Sequence, residues 1–173
     1  MSEVKGKRKK RKLKQLPDAV FRSRSGNLSL DLATTGYVNE VAKASISAST
    51  RSGNISLNLI SGADTKPRFD VEANTRSGTI VLFVPSTFSG AIQLHTKTGE
   101  LNFLPGIASG MQVVKSSDNE YLVLVGKQQP AGGRADFCRL RTRTGNIVVG
   151  ERGKDTYVKN TSVWEKLTGL FRG

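Results

Sequence analysis

Between about residue 18 and residue 150 the apolar and polar positions alternate with period two, and the alternation breaks at intervals on a glycine. Such a period marks strands, because successive side chains of a strand point to opposite faces. The stretch Phe69-Asp70-Val71-Glu72-Ala73-Asn74-Thr75-Arg76-Ser77 shows the logic. Parity sets Phe69, Val71, Ala73, Thr75 and Ser77 inward, with Asp70, Glu72, Asn74 and Arg76 outward. Gly78 interrupts, Ile80, Leu82 and Val84 resume, and Pro85 closes the unit. The same parity predicts strand–turn–strand units around Phe21–Leu32, Ile46–Leu59, Ile92–Phe103 and Leu140–Val149. No helical periodicity competes over this stretch.

Each break carries the same phrase: Ser or Thr, a cation, Ser or Thr, then Gly. It reads Ser23-Arg24-Ser25-Gly26, Thr50-Arg51-Ser52-Gly53, Thr75-Arg76-Ser77-Gly78, Thr96-Lys97-Thr98-Gly99 and Thr142-Arg143-Thr144-Gly145. Gly26, Gly53, Gly78, Gly99 and Gly145 supply the turn, where a residue without Cβ permits backbone angles closed to others. The spacings are 27, 25, 21 and 46 residues. The last is twice 23, which predicts a degenerate sixth unit over 119–125. Copies at this period indicate stacked supersecondary units. The expected fold is all-β: a single-domain β-solenoid of about six coils, each burying its apolar edge against its neighbours. A β-sandwich of hairpins is the alternative. Within this scheme both hydroxyl residues of each phrase point inward and the cation between them points outward, the opposite of a flat hydroxyl-bearing ice-binding face.

The ends of the chain depart from this pattern. Residues 1–16 form a basic arm with too little apolar content to order itself, 17–158 the repeat domain, and 159–173 a short amphipathic helix. In the last, Val163, Trp164, Leu167, Leu170 and Phe171 make one stripe, read as a cap over the last coil or as an anchor on a membrane or partner. The formal net charge is +13 over 173 residues. The arm contributes +7 of it, through Lys5, Lys7, Arg8, Lys9, Lys10, Arg11, Lys12 and Lys14 against Glu3. Nucleic acid, anionic lipid and acidic protein are therefore the expected partner classes. A basic run of this kind also serves as a nuclear localisation signal. One cysteine, no apolar segment behind the N-terminal charge and no run of ~18 apolar residues suit an intracellular protein, cytoplasmic or nuclear, without a transmembrane segment.

Two stretches carry a family resemblance. Val84-Pro85-Ser86-Thr87-Phe88-Ser89-Gly90 leads into Leu94-His95-Thr96-Lys97-Thr98-Gly99-Glu100-Leu101-Asn102-Phe103; Tyr121-Leu122-Val123-Leu124-Val125-Gly126 is followed by Leu140-Arg141-Thr142-Arg143-Thr144-Gly145-Asn146-Ile147-Val148-Val149-Gly150. With the other repeats, they resemble a family of fungal domains of unknown function, similar in turn to bacterial adhesin-like β-solenoid repeats. The resemblance covers about residues 20–150 and leaves out the arm and the C-terminal helix. It implies a repeat-built all-β domain and brings no catalytic residues.

The candidate chemistry is mostly cationic. Stacked in register, Arg24, Arg51, Arg76, Lys97 and Arg143 form an outward column, flanked by Arg22, Arg141 and His95. Like charges in a column repel, and a polyanionic ligand would offset that cost. The bland reading is a solvated edge that resists aggregation. With Lys7, Arg8, Lys9, Lys10, Arg11 and Lys12, the column is the expected binding surface. Catalysis is not expected. One histidine and one cysteine leave no ligands for a His/Cys metal cluster, and no cofactor motif is present. Cys138 alternates in phase with Leu140, as a small core residue does. Asp70 and Glu72 project together, which suits a carbohydrate-active site only if they are not an ion-pair ladder. The expected function is non-catalytic binding or scaffolding, with self-association as the alternative.

Overall fold

A computed structural model describes residues 16–35, 43–60, 67–126 and 135–158. Residues 1–15 of the arm and the stripe of Trp164, Leu167 and Phe171 lie outside the described residues. The described chain runs through β1 (Ala19–Ser23), β2 (Leu28–Leu32), β3 (Lys43–Ser52), β4 (Ile55–Leu59), β5 (Arg68–Ser77), β6 (Ile80–Val84), β7 (Gly90–Thr98) and β8 (Leu101–Phe103). It continues with α1 (Pro105–Ala108), β9 (Met111–Ser117), β10 (Glu120–Val125), β11 (Asp136–Thr144) and β12 (Ile147–Glu151).

The fold is all-β in two sheets. One has the order β1-β3-β5-β11-β7-β10-β9 and the other β2-β4-β6-β12-β8. Every repeat sends its first strand to one sheet and its second to the other, so no repeat is a hairpin. Neighbouring repeats pair parallel and in register: Thr50 lies opposite Thr75, and Thr142 lies opposite both Thr75 and Thr96. Between the sheets, parity fills one core. Ala48, Ile55, Leu57, Leu59, Val71, Ala73, Ile80, Leu82, Ile92, Leu94, Cys138, Leu140, Ile147 and Val149 are fully buried. Each large aliphatic side chain among them stabilises the fold by about 1.5–3 kcal/mol.

Two expectations need correction. The repeats do not stack in chain order, because the fifth unit, β11–β12, lies between the third and the fourth. The expected sixth unit over 119–125 is not a strand–turn–strand copy. β10 pairs antiparallel with both β7 and β9, so the interval between Gly99 and Gly145 holds α1 and a hairpin. The hairpin takes the outer side of β7 and leaves its inner side for β11. The repeated phrase fits equally against either neighbour, so spacing alone could not reveal this order.

Asp136 fixes the inserted strand at its start. Its side chain is buried, and its two carboxylate oxygens accept the N–H of Phe69 at 2.9 Å and of Ser89 at 3.0 Å. Those donors belong to the entries of β5 and β7, the strands on either side of β11. Gly90 lies opposite Asp136 in the ladder, with no room for a Cβ against the Asp136 carbonyl.

At the other end of the fifth unit, the Asp155 carboxylate accepts the N–H groups of Gly106 (2.8 Å), Ile107 (3.1 Å) and Glu151 (2.7 Å). It thereby ties α1 to the end of β12. Partial burial alone would raise its pKa; the Glu151, Gly106 and Ile107 donors outweigh that, and the net shift is downward. A lowered folded-state pKa gives stability that is present above the unfolded value of about 4 and is lost as pH falls through the folded one. Asp155→Asn is therefore expected to lower stability most near neutral pH. Denaturant unfolding at several pH values should show the gap from the unaltered chain narrowing below about pH 4.

Candidate functional site

The repeated phrase forms the corner at which each unit passes from one sheet to the other, and its parts take separate roles there. The first hydroxyl of the phrase turns inward. Thr50, Thr75, Thr142 and Thr96 are buried, and each donates to the glycine carbonyl of the adjacent unit: Gly26, Gly53, Gly78 and Gly145, at 3.1–3.3 Å. The second does not turn inward as parity suggested. Ser25, just past β1, and Ser52, Ser77, Thr98 and Thr144, the last residues of β3, β5, β7 and β11, are exposed at the corner. Thr144 and Thr98 still bridge units, donating to the carbonyls of Arg76 and Arg143.

The glycine allows the corners to approach. Gly78 and Gly145 have φ of +149° and +147°, a region that side-chain-bearing residues rarely enter. A Cβ on Gly145 would overlap the Gly78 carbonyl oxygen.

An asparagine ladder, not anticipated above, follows the glycines. The Asn27 side-chain oxygen accepts the Asn54 N–H at 2.8 Å, that of Asn54 accepts the Thr79 N–H at 2.9 Å, and that of Asn146 accepts the Glu100 N–H at 2.9 Å. Its signal was the Asn after Gly in three of the five phrases.

These ladders hold the corners in register and so align the cations. Arg51 lies between residue pairs Thr50–Thr75 and Ser52–Ser77, level with Arg76; Arg143 is level with both Arg76 and Lys97. The Ser52 N–H bonds to the Arg24 carbonyl at 3.0 Å and extends the row to the first unit. The order along the row is Arg24, Arg51, Arg76, Arg143, Lys97, at the interstrand spacing of about 4.8 Å. All five are exposed. In the next outward row Arg141 pairs in register with His95, and Arg22 lies opposite Ser49. Arg51, Ser52, Arg76, Ser77, Arg143 and Thr144 line an open depression of about 490 Å³.

The ion pairs among the described residues are Arg68–Asp136, Lys115–Glu120 and Lys154–Glu151. None involves the row. Glu120, held by hydrogen bonds from Lys115 and Gln93, has its pKa lowered and serves the hairpin rather than the corner. The row presents four guanidinium groups, the Lys97 ammonium and hydroxyls; Glu100, just past Gly99 at the same corner, is bonded by the Asn102 side chain rather than paired with a cation of the row.

The other candidates lie apart from the row. Cys138 is fully buried between Val71 and Ile92, and burial followed by the nearby Asp136 and Asp70 charges pushes its thiol pKa well up. It is a protonated core thiol. Asp70 and Glu72 are half-buried on the outer face of the seven-stranded sheet. Glu72 accepts from the Asn74 side chain at 3.2 Å, and Arg139, its register neighbour, bonds Gln93 and covers the Phe137 ring. His95 is exposed. Among the described residues no group of three or more His, Cys, Asp or Glu could hold a metal ion, and no helix is long and apolar enough to cross a membrane.

Fold and corner together define a class: an all-β, two-sheet domain built of repeated units with an aligned cationic corner. The chain belongs to the family of the domain of unknown function DUF7330, which matches residues 6–152. The match starts well before residue 20 and takes in most of the basic arm, a wider span than the resemblance suggested. Among solved structures, the chain is similar to one described as a "putative cell adhesion protein" from Clostridium sporogenes ATCC 15579. The identity is 11% and the TM-score 0.43, with 77% of this chain and 55% of that chain covered, so this chain spans about half of the other's length. No curated protein matches. Neither likeness carries the fungal origin that the resemblance included.

Proposed function

We propose that this domain is a non-catalytic binding module for a polyanion, which lies along the row Arg24, Arg51, Arg76, Arg143 and Lys97. The observation that carries the reading is the row itself: five exposed cations in consecutive units, none in an ion pair with a described carboxylate. Repulsion along such a row costs stability, and an extended chain of phosphates or sulfates would offset it. Few outward aromatic side chains accompany the row, so contact is with backbone charges rather than with stacked bases. We read the parallel two-sheet stack as a solenoid whose units are out of chain order, acting as the rigid scaffold that sets the charge spacing. The basic arm, with Lys7, Arg8, Lys9, Lys10, Arg11 and Lys12, adds a second attraction for the same ligand.

Duplex DNA is a suitable probe, because counterion release makes the contacts countable. Binding of the full chain is expected to weaken steeply with salt. Replacing Arg51, Arg76 and Arg143 together by Gln should make the slope of log K against log salt shallower by about 3. Deleting residues 1–15 should leave a salt-dependent residue of binding that is lost when the three substitutions are added to the deletion. An unchanged slope in the triple variant would show the row to be a solvated edge. Absence of binding by the intact chain at low salt would remove the proposal altogether.

A further inference from the structure

The two ends of the stack are built differently. At one end the β9–β10 hairpin covers the side of β7, and α1 follows β8. β9 and β8 are the edge strands there, β9 with Val113 and Val114 exposed. At the other end the edges are β1 and β2 of the first repeat itself, with no inserted element beyond them among the described residues. Ala19, Phe21, Leu28 and Leu30 are only half-buried there, whereas their register partners Ile46, Ala48, Ile55 and Leu57 are buried. Val20 on the outer face is 47% exposed. Among the described residues the first unit thus leaves open what the following units close.

The backbone groups without a partner among the described residues at this end can be identified from the ladder. The Asp18 N–H donates to the Ser45 carbonyl, and the Arg24 carbonyl accepts from the Ser52 N–H. Even-numbered residues of β1 therefore bond β3, and Ala19, Phe21 and Ser23 turn their N–H and C=O groups to the open side. In β2 the Leu28 N–H donates to the Asn54 carbonyl and the Leu32 carbonyl accepts from the Ile60 N–H. Ser29 and Asp31 accordingly face the open side.

We propose that this end joins a second copy of the chain head to head, β1 pairing antiparallel with β1 and β2 with β2. Centred on Phe21, the pairing sets Phe21 against Phe21 and Ala19 against Ser23 of the second copy. These are the residues whose backbone groups lack a described partner, and each such pair exchanges two hydrogen bonds. Centred on Leu30, it sets Ser29 against Asp31, again residues of that kind. Phe21 is the middle residue of β1 and Leu30 the middle residue of β2, each two residues from the strand end that meets the Gly26 corner, so the two centres fall together across the layers. One two-fold axis therefore serves both sheets, as an isologous contact requires.

The charges select this register. On the outer face it brings Asp18 beside Arg24 of the second copy, twice by symmetry. A pairing centred on Ser23 would set Arg22 against Arg24 and is disfavoured. Pro17, which has no N–H, ends the ladder just before β1.

Sedimentation of the full chain from low to several hundred micromolar tests the proposal. A monomer–dimer equilibrium is expected. Asp18→Lys or Arg24→Glu alone should weaken association about tenfold, by replacing attraction with repulsion at two symmetric contacts. The double variant should restore it, a result that misfolding of either single variant could not produce. A chain that stays monomeric throughout overturns the proposal, as does a dimer indifferent to the single reversals or a double variant that fails to regain association. A dimer that forms only after deletion of residues 1–15 would show the basic arm to be the occupant of this edge, and would overturn it equally.

Discussion

Gly145→Ala is expected to destabilise the domain by about 3–5 kcal/mol and to lower its melting temperature by about 10 °C or more. Two costs coincide at this residue. Its φ of +147° is poorly accessible to a residue with a Cβ. The added carbon would also overlap the carbonyl oxygen of Gly78, a backbone atom of the adjacent strand that cannot rotate away. Relief requires the corners to separate, which would strain the bond from the Thr142 hydroxyl to the same Gly78 carbonyl. Gly26→Ala is the control. Gly26 belongs to the end unit, its φ is not positive, and an added Cβ meets only the Ser23 hydroxyl at 3.0 Å. Its cost should stay below about 1 kcal/mol. Thermal or denaturant unfolding of the two variants checks the difference; equal losses would show that close stacking of the corners does not limit stability.

Asp136→Ala should have an effect of similar size for a different reason. The carboxylate is 3% exposed and holds the Phe69 and Ser89 N–H groups. Hydrogen bonds to a charged acceptor are worth about 1.5–3 kcal/mol each, and removing the acceptor leaves the buried Phe69 donor without one. Arg68, at 3.7 Å and partly exposed, adds little. A loss of about 3–5 kcal/mol is expected, with Asp136→Asn recovering part of it because one acceptor oxygen remains. Since Asp136 joins the entries of β5 and β7 through β11, hydrogen exchange should quicken most at the first residues of β11. A loss below about 1 kcal/mol would mean that strand pairing alone places the inserted unit.

The aligned cations and the buried Thr ladder belong to one device. The bonds that hold Thr50, Thr75, Thr142 and Thr96 to neighbouring glycine carbonyls keep the corners in register, and register turns scattered arginines into a row. Thr75→Val should therefore both destabilise the fold and blur the row, whereas Arg76→Gln should leave stability unchanged or slightly raised by removing repulsion. Comparing the unfolding of these two variants separates architecture from charge.

Much of this was legible in the chain. Alternation with period two identified the strands, and glycine punctuation placed the corners at Gly26, Gly53, Gly78, Gly99 and Gly145. Parity correctly set Thr75 in and Arg76 out. It failed at Ser77 and Thr144, the last residues of β5 and β11, which the corner leaves exposed although they are still paired in the ladder. The asparagine ladder was visible only as a residue type after glycine, since a side-chain bond to the next unit depends on where that unit lies.

The stacking order was beyond the sequence for a related reason. Local alternation fixes which face each side chain occupies, since that depends only on the backbone's own period. Which repeat sits beside which depends on contacts among units that carry the same phrase and are interchangeable by pattern. Tertiary structure broke the equivalence through particular groups: the Asp136 carboxylate reaching two strand entries, and the hairpin that occupies the far side of β7. Sequence determined the strands, the corners and the outward cations; only the three-dimensional arrangement placed Arg143 between Arg76 and Lys97 and set β1 and β2 at the edges of their sheets.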